Sequence, residues 1–127
     1  PMMRNGGGAI VLCSSAVSRT GLVNHEAIAA AKAGINGLVR ASAATYANRG
    51  VRVNAVAPGL VETPATERIT SSEAGRKQSE AMHALGRLGR PDDIAEAIVW
   101  LLDGDRSGWV TGQIVGVDGG LGTVRPR

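Results

Sequence analysis

The chain has 127 residues, a net charge of +3 and 43% hydrophobic residues, enough for one small domain with its own core. Its twelve arginines and two lysines are scattered, and Trp100, Trp109 and Tyr46 are its only aromatic residues. That argues against a nucleic-acid surface, which clusters cations beside stacking rings. No apolar stretch approaches the ~20 residues that cross a bilayer, no signal-peptide layout opens the sequence, and the lone Cys13 excludes a disulfide framework and suits a reducing, cytoplasmic setting.

After the glycine cluster Gly6-Gly7-Gly8, the run Ala9-Ile10-Val11-Leu12-Cys13 predicts a strand buried on both faces, the parallel-sheet kind. Ser14-Ser15 bring polar groups to its carboxyl end. Asn24 is the expected N-cap of a long helix from His25 to about Tyr46. Ala30, Ala33, Leu38, Ala41 and Ala44 keep one side of it small enough for close packing on a sheet or another helix, and Gly50 is the stop signal.

Val51 to Ala57 predicts a second strand, broken at Pro58-Gly59. Residues 62–70 are polar and loop-like. Thr70-Ser71-Ser72-Glu73 has capping-box spacing and predicts a helix to about Leu85. Pro91 followed by Asp92 and Asp93 starts a further helix with Ile94, Ile98, Leu101 and Leu102 on its apolar face. Gly112 to Val117 predicts the third strand, closed by a turn at Asp118-Gly119-Gly120. Three strands with helical crossovers make an α/β fold, half of a doubly wound, Rossmann-like parallel sheet. The first half of such a sheet carries a Gly-rich turn between strand and helix; here the glycine cluster precedes its strand, so it is a loop and not a phosphate cradle.

Ile10 to Ser15, Ala31-Lys32-Ala33-Gly34, Arg52 to Gly59, Gly86 to Pro91, Thr111-Gly112-Gln113 and Val117 to Gly120 follow one another in a distinctive order. In that order the chain resembles the C-terminal half of a short-chain dehydrogenase/reductase, with the match running from about Gly8 to Gly120. The resemblance implies that residues 1–127 are the C-terminal part of one domain. It also implies an NAD- or NADP-dependent oxidoreductase acting on a small carbonyl or alcohol substrate. Ser15 takes the position of the family's substrate-holding serine and Lys32 that of the lysine that binds the nicotinamide ribose. Pro58, Gly59, Val61 and Thr63 take those of the nicotinamide loop, with the Val61 main chain and Thr63 at the carboxamide. The segment from Glu62 to Leu85 resembles the family's variable substrate lid. Tyr46, far along the helix, and Glu26, pointing to solvent, have no part in this site.

One position departs from the pattern. The family's tyrosine, four residues before the lysine and 13 after the serine, is Ile28 here. A phenol titrates near pH ~10 and is shifted toward use by a neighbouring cation; an isoleucine has no proton to give. His25, seven residues before Lys32 and near it in helix azimuth, is one substitute proton carrier. Loss of redox chemistry altogether, leaving a degenerate subunit, is the alternative, and a Ser15–Lys32 hydrolase is a third reading. No His/Cys/Asp/Glu group has metal-ligand spacing. Family resemblance implies a homo-oligomer, dimer or tetramer, through the last strand and its helix. The 127 residues alone are expected to be inactive, to expose an unpaired sheet edge, and to associate with themselves or with a complementary N-terminal fragment.

Overall fold

Val51–Pro58 (β2) is the strand on which the rest is built, because almost every residue in it is buried. In the computed structural model, which describes residues 1–126, β2 lies between β1 (Gly8–Cys13) and β3 (Ile114–Val117). Both neighbours run parallel to it, Cys13 beside Val56 and Pro58 beside Val117. Parallel pairing demands crossovers, and helices supply them. Helix α1 (Glu26–Tyr46) links β1 to β2; α2 (Glu67–Thr70), α3 (Glu73–Met82), α4 (Pro91–Leu102) and α5 (Gly104–Ser107) intervene before β3.

Alternate residues of β2 serve opposite layers. Val51, Val53, Ala55 and Ala57 form one core with Val39 and Ala43 of α1, Ile114 of β3, and the flanking Leu12 and Ile35. On the other face α4 packs against β1 and β2, with Leu101 fully buried; burying one leucine is worth roughly 1.5–3 kcal/mol. Asn54, also fully buried, faces this second layer. Its Nδ2 donates to Val110 O at 2.9 Å and its Oδ1 accepts from Gln113 N–H at 3.0 Å, so both ends of the amide are satisfied as burial requires. Arg52 reaches the same segment, donating to the carbonyls of Val110 and Leu102 at 3.2 and 3.4 Å.

Several expectations are corrected. β1 is an edge strand with one neighbour, and it alternates between exposed and half-buried residues; Cys13 is exposed. The small stripe of α1 faces outward: Ala30, Ala33, Leu38, Ala41 and Ala44 are all exposed, and the sheet is met by Asn36, Val39 and Ala43. A stripe of small residues permits close approach on either side of a helix; the larger apolar side chains decide which side is buried. The N-cap of α1 is His25, with no capping side-chain bond, while Asn24 takes a left-handed backbone at φ 60°. Helix α3 is capped by Ser72, whose hydroxyl accepts from Gly75 N–H at 2.9 Å, and it ends at Met82 rather than near Leu85. The polar stretch before it holds a 3-10 turn over Pro64–Thr66 and the short α2. Leu102 is exposed at the end of α4, and Gly112, at φ 73°, keeps β3 from starting before Ile114. Trp109 is wholly exposed, as a subunit-contact residue would be in a single chain.

The helix stop at Gly50 (φ 73°), the start of α4 at Pro91 and the Asp118 turn match the sequence reading. Both Asp118 carboxylate oxygens accept backbone N–H groups, from Gly120 at 2.9 Å and Gly122 at 3.0 Å. No described helix is long and apolar enough to cross a membrane.

Candidate active site

The carboxyl ends of β1 and β2 come side by side, because Cys13 pairs with Val56 and Ser14 N–H continues the ladder to Val56 O at 2.8 Å. Continuing that register by two residues puts Ser15 level with Pro58. Ser15 opens a 3-10 turn over Ala16–Ser18, its hydroxyl accepting weakly from Val17 N–H at 3.4 Å. The hydroxyl proton is not used in that contact.

Helix α1 runs back over the same edge. Lys32 Nζ donates to Cys13 O at 2.8 Å, two residues before Ser15, and the side chain is half-buried. An ammonium has three protons, so two remain for other acceptors. One turn later, Asn36 is buried and pairs with the start of the serine turn: Ser14 Oγ–H donates to Asn36 Oδ1 at 2.7 Å, and Asn36 Nδ2 donates to Ser18 Oγ at 2.8 Å. Ser18 Oγ–H in turn reaches Ser15 O at 2.6 Å. Lys32 and Asn36 share a helix face and together fix the turn that presents Ser15.

Ile28 is 46% exposed at the start of α1. His25 precedes it by one turn. Its Nδ1 lies 2.7 Å from Val23 O; a carbonyl only accepts, so Nδ1 donates to it.

After β2 the chain is held at every step. Gly59 N–H donates to Val117 O at 3.2 Å. Val61 makes a parallel bridge with Gly89: Gly89 N–H donates to Leu60 O and Glu62 N–H donates to Gly89 O, each at 2.9 Å. In such a bridge the groups of Val61 itself point the other way. Its carbonyl is taken by Thr66 Oγ1 at 2.6 Å, and its N–H has no partner among the described residues. Thr63 spends its N–H on Thr66 Oγ1 at 3.0 Å and keeps its hydroxyl 3.3 Å from the same oxygen. Glu62 forms an ion pair with Arg76 of α3, which also meets Glu80 at 3.0 Å.

A cavity of about 480 Å³ lies between the turns that follow β2 and β3, lined by Gly59, Leu60, His83, Leu85, Arg87 and Gly119. Arg87 binds Asp93 with both guanidinium arms, at 2.7 and 3.1 Å. That hydrogen bond, aided by Arg90 N–H, holds the Asp93 carboxyl well below the usual carboxylate range.

Of the residues named from the sequence, Ser15 and Lys32 lie at the carboxyl end of β1 beside Pro58 at the end of β2, and Gly59, Val61 and Thr63 follow directly in the chain that leaves β2. Asn36 and His83 were missed. The signal for Asn36 was an amide one turn from Lys32 on the face toward the sheet; His83 sat in a turn and carried no spacing cue.

An edge of this kind, crossed by a lysine-bearing helix and a proline-glycine loop, belongs to the short-chain dehydrogenase/reductase family, and the chain is a member of it. The sequence model of the enoyl-(acyl carrier protein) reductase family matches residues 1–122. The 3-oxoacyl-(acyl-carrier-protein) reductase FabG of Thermotoga maritima is 42% identical over 120 residues, 94% of this chain and 48% of that protein. The cis-4-hydroxycyclohexanecarboxylate dehydrogenase of Sinomonas cyclohexanicum is 43% identical over 97% of this chain and 48% of its own length. Among solved structures, a short-chain type dehydrogenase/reductase from Mycobacterium ulcerans superposes with a TM-score of 0.92 at 32% identity, covering 98% of this chain and 45% of that one. A protein from Beutenbergia cavernae, provisionally assigned as an NAD(P)-dependent gluconate 5-dehydrogenase and solved with NADP at low occupancy, superposes with a TM-score of 0.89 at 38% identity, over 94% and 48%. The chain therefore spans about half the length of the curated relatives it matches.

Proposed function

We propose that the chain forms the nicotinamide side of an NAD(P)-dependent oxidoreductase that acts between a small carbonyl and its alcohol, with a proton relay altered at position 28. The observation that carries this reading is Lys32 Nζ, held 2.8 Å from Cys13 O at the edge that also carries Ser15 and the Pro58–Thr63 loop. Open α/β sheets take ligands at the carboxyl ends of their strands.

The residues present fit one end of the cofactor. Lys32 has two protons left for ribose hydroxyls, the unpartnered Val61 N–H suits a carboxamide oxygen, and the Thr63 hydroxyl suits the amide beside it. Bound nicotinamide supplies or accepts the hydride. Ser15 holds the substrate oxygen through its hydroxyl proton. A Gly-rich turn between strand and helix is not part of these 127 residues, so pyrophosphate and adenine require residues outside the stretch. The relatives support a small-molecule substrate; a dimer or tetramer, or pairing with an N-terminal portion of the domain along the edge of β1, fits the exposed faces of α1 and β1.

Ile28 favours a second reading, a degenerate subunit that keeps the fold and does no chemistry. The complete polypeptide, titrated with NADH and NADPH and assayed as wild type and Ile28→Tyr, separates the two. Binding with turnover in wild type supports an altered relay. Binding with turnover only in the tyrosine variant supports degeneration, and failure to bind either nucleotide overturns the cofactor reading. Labelling of Ser15 by a serine-directed probe would instead favour hydrolase chemistry.

A further inference from the structure

His83 is the most buried titratable side chain near the site, only 3% exposed, in a turn that leads out of α3. Its Nδ1 lies 2.7 Å from Ser79 O, a group that can only accept, so Nδ1 carries the proton. Leu60 N–H donates to Nε2 at 3.1 Å, so that nitrogen offers its lone pair. The ring is wedged between two turns. A Cβ at Gly59 would stand 2.6 Å from Nε2, and one at Gly119 would stand 3.4 Å from the His83 Cβ. Just beyond, Leu85 N–H donates to Gly119 O at 3.1 Å.

Leu60 immediately precedes Val61. With Leu60 N–H fixed by the imidazole and Leu60 O fixed by Gly89, the peptide planes leading into Val61 have little freedom. Among the described residues, Val61 N–H is the backbone donor of residues 59–63 that has no partner. The same imidazole is anchored to the last turn of α3, whose Arg76 grips Glu62 on the far side of Val61.

We infer that His83 is a positioning residue: its imidazole, protonated on Nδ1, sets the Leu60 amide so that Val61 N–H faces the nicotinamide carboxamide, and ties that aim to the seating of α3. This rests on the cofactor reading above.

The test uses the complete polypeptide with His83→Gln and His83→Asn. Gln can place an amide oxygen where Nε2 sits and accept from Leu60; Asn reaches only the Nδ1 position and keeps the Ser79 contact alone. The Asn variant should bind NADH or NADPH about tenfold more weakly, raising KM for the cofactor with little change in kcat, as expected for one positioned hydrogen bond of roughly 1.4 kcal/mol. The Gln variant should recover most of that affinity. Amide exchange at Leu60, measured without cofactor, should speed up in His83→Asn and stay slow in His83→Gln. Equal affinity in both variants and wild type, with unchanged Leu60 exchange, overturns the assignment while leaving the cofactor reading intact. Failure of wild type to bind either nucleotide removes both. Imidazole ¹⁵N shifts of the wild-type protein need no variant at all: a proton on Nε2 rather than Nδ1 would overturn the inference directly.

Discussion

Lys32 and Asn36, one turn apart on α1, grip consecutive residues at the end of β1: Lys32 Nζ is 2.8 Å from Cys13 O, and Asn36 Oδ1 is 2.7 Å from Ser14 Oγ. The helix thereby fixes the height of the serine turn above the sheet. Two polar side chains therefore help to hold Ser15 in place, beside the buried Ala16 of the same turn.

Lys32→Met keeps the length and removes the charge. Cofactor affinity of the complete polypeptide should fall by one to two decades, since hydrogen bonds from charged groups are worth about 1.5–3 kcal/mol. Lys32→Arg should be intermediate, because a planar fork cannot hold Cys13 O and a ribose with the same geometry as a compact ammonium. Nucleotide fluorescence titration reads both; unchanged affinity in the Met variant would remove Lys32 from the site.

Asn36→Leu leaves Ser14 and Ser18 without their amide partner in a buried place. Ser14 retains a weaker acceptor in Lys32 O at 3.2 Å, so the loss should be partial, about 1–3 kcal/mol in urea unfolding. Turnover should fall with it, as the Ser15 turn loosens. A variant as stable and as active as wild type would show that the network contributes nothing to presenting Ser15.

Gly59→Ala tests the closeness of the two turns. The added methyl would stand 2.6 Å from His83 Nε2 and 2.9 Å from Asp118 O, and one of these is backbone that cannot swing aside. Overpacking of this kind costs about 1–3 kcal/mol, so the melting temperature should drop together with cofactor affinity. Loss of stability with affinity unchanged would separate the turn from the cofactor loop.

Asp93 is held in its ionised form by Arg87 first and by Arg90 N–H second. A carboxyl lowered in the folded state adds stability above its unfolded value, near pH ~3.9, and that contribution disappears as pH falls through the lowered folded value. NMR titration of the Asp93 carboxyl should therefore show it charged well under the ordinary aspartate range. In Arg87→Gln it should move back toward that range. Because the pair is exposed, added salt should shrink the difference.

Much of the scaffold was legible from periodicity and punctuation. The apolar runs gave the three strands, Gly50 and Pro91 marked a helix end and a helix start, and the order of elements required parallel crossovers. What stayed hidden was directional. Ala30 and Ala43 look alike in sequence, yet one is exposed and the other buried, because Val39 and Asn36 determine which side of α1 meets the sheet. Asn36, Asn54 and His83 read as ordinary polar residues; each is buried because of a partner far along the chain or on another element, and such partnerships leave no local pattern. The site residues Ser15 and Lys32 were readable only through family resemblance, since a serine and a lysine 17 apart carry no chemistry by spacing alone.

The amide of Asn54 also joins parts of the chain that are far apart in sequence. Its two partners lie 56 and 59 residues further along, so it is satisfied only once residues 110–113 have come against β2. Burying it without them would strand the amide. An apolar residue at position 54 would leave Gln113 N–H without its acceptor and remove that tie between β2 and the approach to β3.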